Sequence, residues 1–245
     1  MEDQVTTRCG AVLMMDTLGF KGIWKKSTHG TVLSKLRHLE KVCHSKIEEL
    51  NRDGGISHRQ ITLQVTILSD TIVIAASAPG ASKSPTRGDD PILLLGAAAA
   101  SAAIIEVSAS TDPIMIYRGV LTWGEFEMDD RFLIGQPIDE AAQLERNAEA
   151  AVVWLAPSAV AVLRASKLEL DELGFVRWPV PMKNGGAYET SVVNPFHWLS
   201  KAEDATRRDR LEWRILSAFD GPVDIQIKRQ NTERYLRVAK ERAAK

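Results

Sequence analysis

The chain has 245 residues, 44% of them hydrophobic and 26% charged, with a formal net charge of −1, which suits a substantial buried core and excludes a disordered polyelectrolyte. The balanced charge gives no general electrostatic case for nucleic acid or an anionic membrane as partner. Cys9 and Cys43 stand in no metal-ligand spacing, which excludes a disulfide framework and a zinc site; no cleavable signal or spanning segment is legible, so a cytoplasmic location is expected.

Residues 12–20, VLMMDTLGF, run apolar and then stop at Asp16. This predicts a buried strand that delivers one carboxylate at its tip, followed by a tight turn through Thr17, Leu18, Gly19 and Phe20. A carboxylate there can hold a hard cation, and the turn's N–H groups can meet phosphate oxygens. An Asp in this position can equally be a helix N-cap. Over 20–50 the spacing is helical, with Leu33, Leu36, Leu39, Val42, Cys43, Ile47 and Leu50 as the apolar stripe and Lys35, Arg37, Glu40 and Lys41 among the outward residues. A turn over 51–58 follows, at Gly54-Gly55.

Residues 61–76, ITLQVTILSDTIVIAA, read as a hairpin of strands 61–68 and 71–76 with Asp70 at the bend. The Pro-, Gly- and Ser-rich stretch 77–91 reads as a surface loop, in which Asp89 and Asp90 are solvated charge or an N-cap. An Ala-rich helix over 92–110 must pack closely on a sheet. A strand over 114–122 is expected next, with 124–130 returning as its partner through a turn at 129–131. Pro137 suits the first turn of a helix over 135–146, where Asp139 and Glu140 favour the N-terminal end. A strand at 151–155, a helix at 157–165, strand-like segments at 168–180 and 187–193, and a corner at 194–198 complete the predicted domain, 10–198. His197 in that corner has no acid or nucleophile patterned with it. From 199 onward a helical tail is expected: an amphipathic helix around Leu211, Ile215, Leu216 and Phe219, then a very polar helix over 232–245.

The order β-α-β-β-α-β, with further strands and helices after it, predicts an α+β, ferredoxin-like (split βαβ) antiparallel sheet with helices. In that layout the end of the first strand lies beside the hairpin bend, so Asp16 and Asp70 point into the same space. Two carboxylates on adjacent strand tips, beside a glycine turn, suit a two-metal phosphoryl-transfer site. No P-loop motif and no Ser-His-Asp or Cys-His arrangement competes with this reading.

DTLGF at 16–20, SD at 69–70 before TIVIAA, RGVLTWGEF at 118–126 and IGQPIDEAAQLE at 134–145 resemble the catalytic domain of class III nucleotide cyclases. The resemblance covers about residues 10–195, and the blocks look most like the bacterial pyrimidine cyclases of the Pycsar anti-phage system. It implies metal binding by Asp16 and Asp70, with two Mg²⁺ or Mn²⁺ ions per site and a backbone carbonyl from Thr17. Leu18, Gly19 and Phe20 would hold the triphosphate. It further implies a head-to-tail homodimer in which the Asp139 block completes the partner's active site. The adenine-reading Lys and Asp of the family are replaced here by Thr66 and Phe132, which argues against ATP and for UTP or CTP.

The family's transition-state Asn and Arg correspond to Asp139 and Gln143, leaving no cation at the second position. Arg118 and Arg146 are the candidate replacements. Arg118 reads either as a strand-edge charge or as a bidentate donor to a base carbonyl or phosphate, the latter favouring uracil. Arg146 reads as a surface charge at a helix end. The expected activity is therefore a pyrimidine cyclase, uridylate in preference to cytidylate. The alternative is a catalytically silent cyclase-like nucleotide-binding module, and a polymerase-type transferase is disfavoured by the lack of a GGDEF-like hairpin.

Overall fold

The computed structural model describes residues 7–19, 23, 27–52, 61–78, 90–128, 132–166, 173–199 and 204–244. The expected turns at 51–58 and 129–131, the loop over 77–91 and Phe20 fall wholly or mostly outside these residues. The strands are β1 (Arg8–Thr17), β2 (Thr62–Leu68), β3 (Thr71–Ser77), β4 (Tyr117–Met128), β5 (Leu133–Gly135), β6 (Val153–Leu155), β7 (Phe175–Pro181) and β8 (Ala187–Val193). The helices are α1 (His29–Arg52), α2 (Asp90–Ser110), α3 (Gln136–Leu144), α4 (Pro157–Ser166), α5 (Asp204–Ser217) and α6 (Val223–Ala243).

One sheet runs in the order β2-β3-β1-β4-β6-β8-β7, with β5 paired to β4. Its first four strands are antiparallel neighbours, as a split βαβ unit requires. The sheet as a whole is mixed, because β6 joins β4 in parallel. Alternation along β1 sends Cys9, Ala11, Leu13 and Met15 to one face, where α1, α2 and α4 cover them. The opposite face carries Val120, Trp154, Val176, Trp178 and Val192, covered by Leu211 and Ile215 of α5 and Tyr235 and Leu236 of α6. Val12, Val73, Ala75 and Phe126 form a smaller cluster beside α3. β1 is buried on both faces, which is why its sequence reads as a continuous apolar run. The segment Pro91–Ser110 is long and apolar enough to cross a membrane by composition, but Leu93, Leu94, Ala97, Ala98 and Ile104 are buried in the first cluster.

Three expectations are corrected. The stripe of α1 is rotated: Leu33 is 49% exposed and Lys35 only 4%, because the Lys35 ammonium donates to Ser108 O (3.0 Å), to Thr111 O (2.8 Å) and to the Thr111 hydroxyl at the C-terminal end of α2. Residues 124–128 do not return beside 117–122 but continue the same strand, and β5 is the partner. Gly124 marks a close approach instead of a break, since a Cβ there would lie 3.1 Å from Pro137 Cδ. The second tail helix begins at Val223, well before 232, and buries Thr232, Tyr235, Leu236 and Ala239.

Candidate metal and phosphate site

The hairpin between β2 and β3 closes through Ser69 and Asp70, with Leu68 paired to Thr71. A two-residue loop needs positive φ in its first position, and Ser69 supplies it at φ 61. The β1 register sets Asp16 opposite Thr71 on one side and opposite Arg118 on the other. Asp16 thus lies one residue from Asp70 across the strand pair. The Thr17 hydroxyl donates to Asp70 O at 3.0 Å, tying the strand tip to the bend.

Asp16 is buried (8% exposed). Burial first, and then the charge of Asp70, lifts its carboxyl above the ordinary carboxylate range, while Arg118 and Arg146 pull it part of the way back. Arg118 Nη2 lies 3.6 Å and Arg146 Nε 4.0 Å from Asp16 Oδ2. Arg118 is held in place by a 3.1 Å bond from Nη1 to Ala148 O, and its buried Nε has no hydrogen-bond partner among the described residues. It is therefore a buried charge facing Asp16, not an edge charge. Arg146 stays exposed along its side chain while its Nε donates to Glu145 Oε1 at 2.9 Å.

Glu145 is the residue that sequence reasoning missed. It is 5% exposed, its Oε2 is buried with no hydrogen-bond partner among the described residues, and burial followed by the Asp16 charge raises its carboxyl above the usual range. A signal was present: Glu145 stands four residues after the buried Ala141, so it falls on the inward side of α3's helical spacing.

Leu18 donates its N–H to Ile116 O at 2.8 Å, so this amide extends the sheet and is not offered to a phosphate. Gly19 turns the chain at φ 77 with nothing within 4 Å of a built Cβ, a conformation few other residues adopt. Thr66 sits in β2 opposite Val73, which pairs onward with Met14, so it shares the face of Asp16. Phe132 lies at the other end of the molecule: β5 pairs at Met128, ten residues along β4 from Arg118 and about 33 Å away at about 3.3 Å per residue. Asp139 and Gln143 are exposed on α3, and His197 packs edge-on against Trp198. One chain therefore brings Asp16, Asp70, Arg118, Glu145 and Arg146 together, leaves Phe132 far along β4, and turns Asp139 and Gln143 to the exposed side of α3.

Two carboxylates on adjoining strand tips, one buried and held against its charged form, fit a divalent cation whose remaining ligands come from water and substrate phosphates. Among the described residues no three acidic, histidine or cysteine side chains converge closely enough to hold a metal by themselves, Glu145 included.

No family model and no curated protein matches the sequence. Solved structures do resemble the fold. The catalytic core of a rhodopsin-guanylyl cyclase with converted specificity, in complex with ATPαS, matches with a TM-score of 0.52 at 16% identity, over 78% of this chain and 98% of that one. The monomeric guanylyl cyclase domain of the rhodopsin fusion protein from the aquatic fungus Blastocladiella emersonii gives 0.52 at 15%, over 77% and 96%. A bacterial light-regulated adenylyl cyclase gives 0.50 at 14%, over 89% of this chain and 59% of that one. The chain has the fold of a class III nucleotide cyclase catalytic domain.

Proposed function

We propose that the protein is a nucleotide cyclase acting on a pyrimidine nucleoside triphosphate as a head-to-tail homodimer, with its cyclic product serving as a second messenger in defence against phage. The observation that carries the cyclase reading is the meeting of Asp16 and Asp70 at adjoining strand tips within a cyclase fold, with Arg118 and Arg146 directed at the same carboxylate. In the reaction the 3′-oxygen forms a bond to the α-phosphorus, the bond from that phosphorus to the β-phosphate oxygen breaks, and pyrophosphate leaves as the hydroxyl proton passes to solvent. Asp16 and Asp70 would hold Mg²⁺ or Mn²⁺, and the bound ion would supply Lewis acidity toward the hydroxyl and the triphosphate charge. Gly19 lets the chain turn closely past the phosphates, and Arg146, exposed and beside Asp16, offsets charge on the phosphate oxygens.

The pyrimidine assignment rests on Thr66 and Phe132, neither of which reproduces the hydrogen-bonding pair that the resemblance associates with adenine. Arg118 is committed to Asp16 and Ala148 O, so it does not decide between uracil and cytosine, and UTP and CTP stand as equal candidates. The test is incubation with each of the four nucleoside triphosphates and Mn²⁺, with products identified by mass spectrometry. A cyclic monophosphate from UTP or CTP is expected, reduced about a hundredfold or more in Asp70→Ala. No cyclic product from any of the four would overturn the reading. Nucleotide binding without turnover would instead favour a silent binding module, for which the exposed Gln143 in place of a cation is the supporting observation.

A further inference from the structure

The segment 147–152 has almost no regular structure, yet it carries Ala148 O, the carbonyl that orients Arg118 toward Asp16. Its polar backbone groups are held from three sides. The β7–β8 hairpin takes two, through Glu149 N–H to Pro181 O (2.8 Å) and Lys183 N–H to Asn147 O (2.9 Å). β4 takes another, through Gly119 N–H to Val152 O (2.9 Å). The third side is α6. Asn231 Nδ2 donates to Glu149 O at 2.9 Å, and the Thr232 hydroxyl accepts the Ala151 N–H at 2.8 Å while donating to Lys228 O. Lys228 Nζ adds an ion pair at 3.7 Å to Glu149.

Thr232 is fully buried, in a helix whose other described residues are largely polar. A hydroxyl there satisfies the buried Ala151 amide. The helix is itself fixed beneath this point: Tyr235 donates its hydroxyl to Val193 O, and Asn194 Nδ2 donates to Ala239 O at 2.9 Å. From these contacts we infer that α6 is the clamp that sets the candidate site, with Thr232 and Asn231 as positioning residues acting through 147–152 and Ala148 O on Arg118. This rests on the cyclase reading for its catalytic consequence, but the clamp itself does not.

The test compares Thr232→Val, Thr232→Ser and Asn231→Ala in the full chain. Valine keeps the shape and removes both hydrogen bonds, leaving the Ala151 amide unpaired. Amide hydrogen exchange should then rise about tenfold at Ala151 and at Gly119, with residues 72–76 unchanged. With the better pyrimidine substrate, kcat should fall about tenfold at nearly constant KM, since a small misplacement of a charged group acts on the reacting geometry. Asn231→Ala should give the same pattern in milder form, and Thr232→Ser should restore both readings. Exchange that rises everywhere, or only within 223–243, would overturn the clamp, and so would a kcat within twofold of wild type in both Val and Ala variants. If Thr232→Val does not fold, the Asn231→Ala and Thr232→Ser pair decides by the same readings. A wild type that yields no cyclic product but shows the local exchange response would overturn the cyclase reading and leave the clamp standing.

Discussion

Asp16 is a carboxylate held where its charge is unwelcome. Burial and Asp70 together outweigh the two guanidinium groups, so the native chain binds this proton more tightly than the unfolded chain does. Stability therefore falls as pH rises from the ordinary value of 3.8 through the raised native one, and the deficit persists above it. Asp16→Asn is expected to melt at a higher temperature than wild type at pH 7, with the gain vanishing below the ordinary carboxylate range. Mn²⁺ at about a hundred times its Kd should stabilise wild type by about 2.7 kcal/mol and the Asn variant by much less. Equal Mn²⁺ shifts in the two proteins would remove Asp16 from the metal site. Stability given up in this way at one buried acid is common where function requires a charge. The position of this acid was legible in the sequence because an apolar run ending in Asp is a one-dimensional signal. The convergence of Arg118, Arg146 and Glu145 on it was not. Arg118 lies 102 positions from Asp16, and only the antiparallel β1–β4 register sets them opposite one another.

The elements are legible in the sequence where one period governs them and obscured where a neighbour intervenes. The hairpin at Ser69-Asp70 follows from alternation and a two-residue bend, both local. Gly124 divides β4 in the sequence pattern because a strand glycine ordinarily signals an interruption, whereas in the fold it admits the ring of Pro137 from α3. Likewise, the hydrophobic stripe of α1 gave no sign that Lys35 turns inward, because the reason lies in the last carbonyls of α2. A helix leaves its final C=O groups without intrahelical donors, and Lys35 donates to Thr111 O and, alongside the Met115 N–H, to Ser108 O. Burial lowers this ammonium to a pKa of about 8 from 10.5. The unfolded chain then holds the proton more tightly, so stability rises with pH between those values. Lys35→Met is expected to destabilise the fold by about 2 kcal/mol near neutral pH, by removing the ammonium donor from Thr111 O and leaving Ser108 O with the Met115 N–H alone. It should also abolish the rise above pH 8. Denaturant melts at pH 7, 8, 9 and 10 check both, and a rise that survives in the Met variant would assign it to another group.

At the scale of the whole molecule, the sheet has two ends with different equipment. One end of β4 holds Arg118 beside Asp16, and the other leads through Phe132 into α3, with about 33 Å of strand between them. α3 runs back along β1 and β4 toward the Asp16 end, with Asp139 and Gln143 outward and Glu145 inward. A single chain thus assembles the carboxylate and guanidinium part of the site, with Phe132 far along β4 and Asp139 on the exposed side of α3. Two copies related by a two-fold axis can set the second group of one against the first group of the other. This division makes a specific demand on mixed assemblies, provided the chain is the composite-site dimer proposed above. Co-expressing Asp16→Asn and Asp139→Ala chains, each inactive alone, should recover about a quarter of wild-type activity, since about half of randomly formed dimers pair the two variants and each of those regains one intact site of two. Co-expressing Asp16→Asn with Arg118→Ala should recover nothing if Arg118 serves the Asp16 of its own chain, because the two residues face each other within one sheet. Recovery in the second mixture would move Arg118 to the partner's site. Failure in the first would mean that Asp139 acts within its own chain, or that the chain works without a second copy.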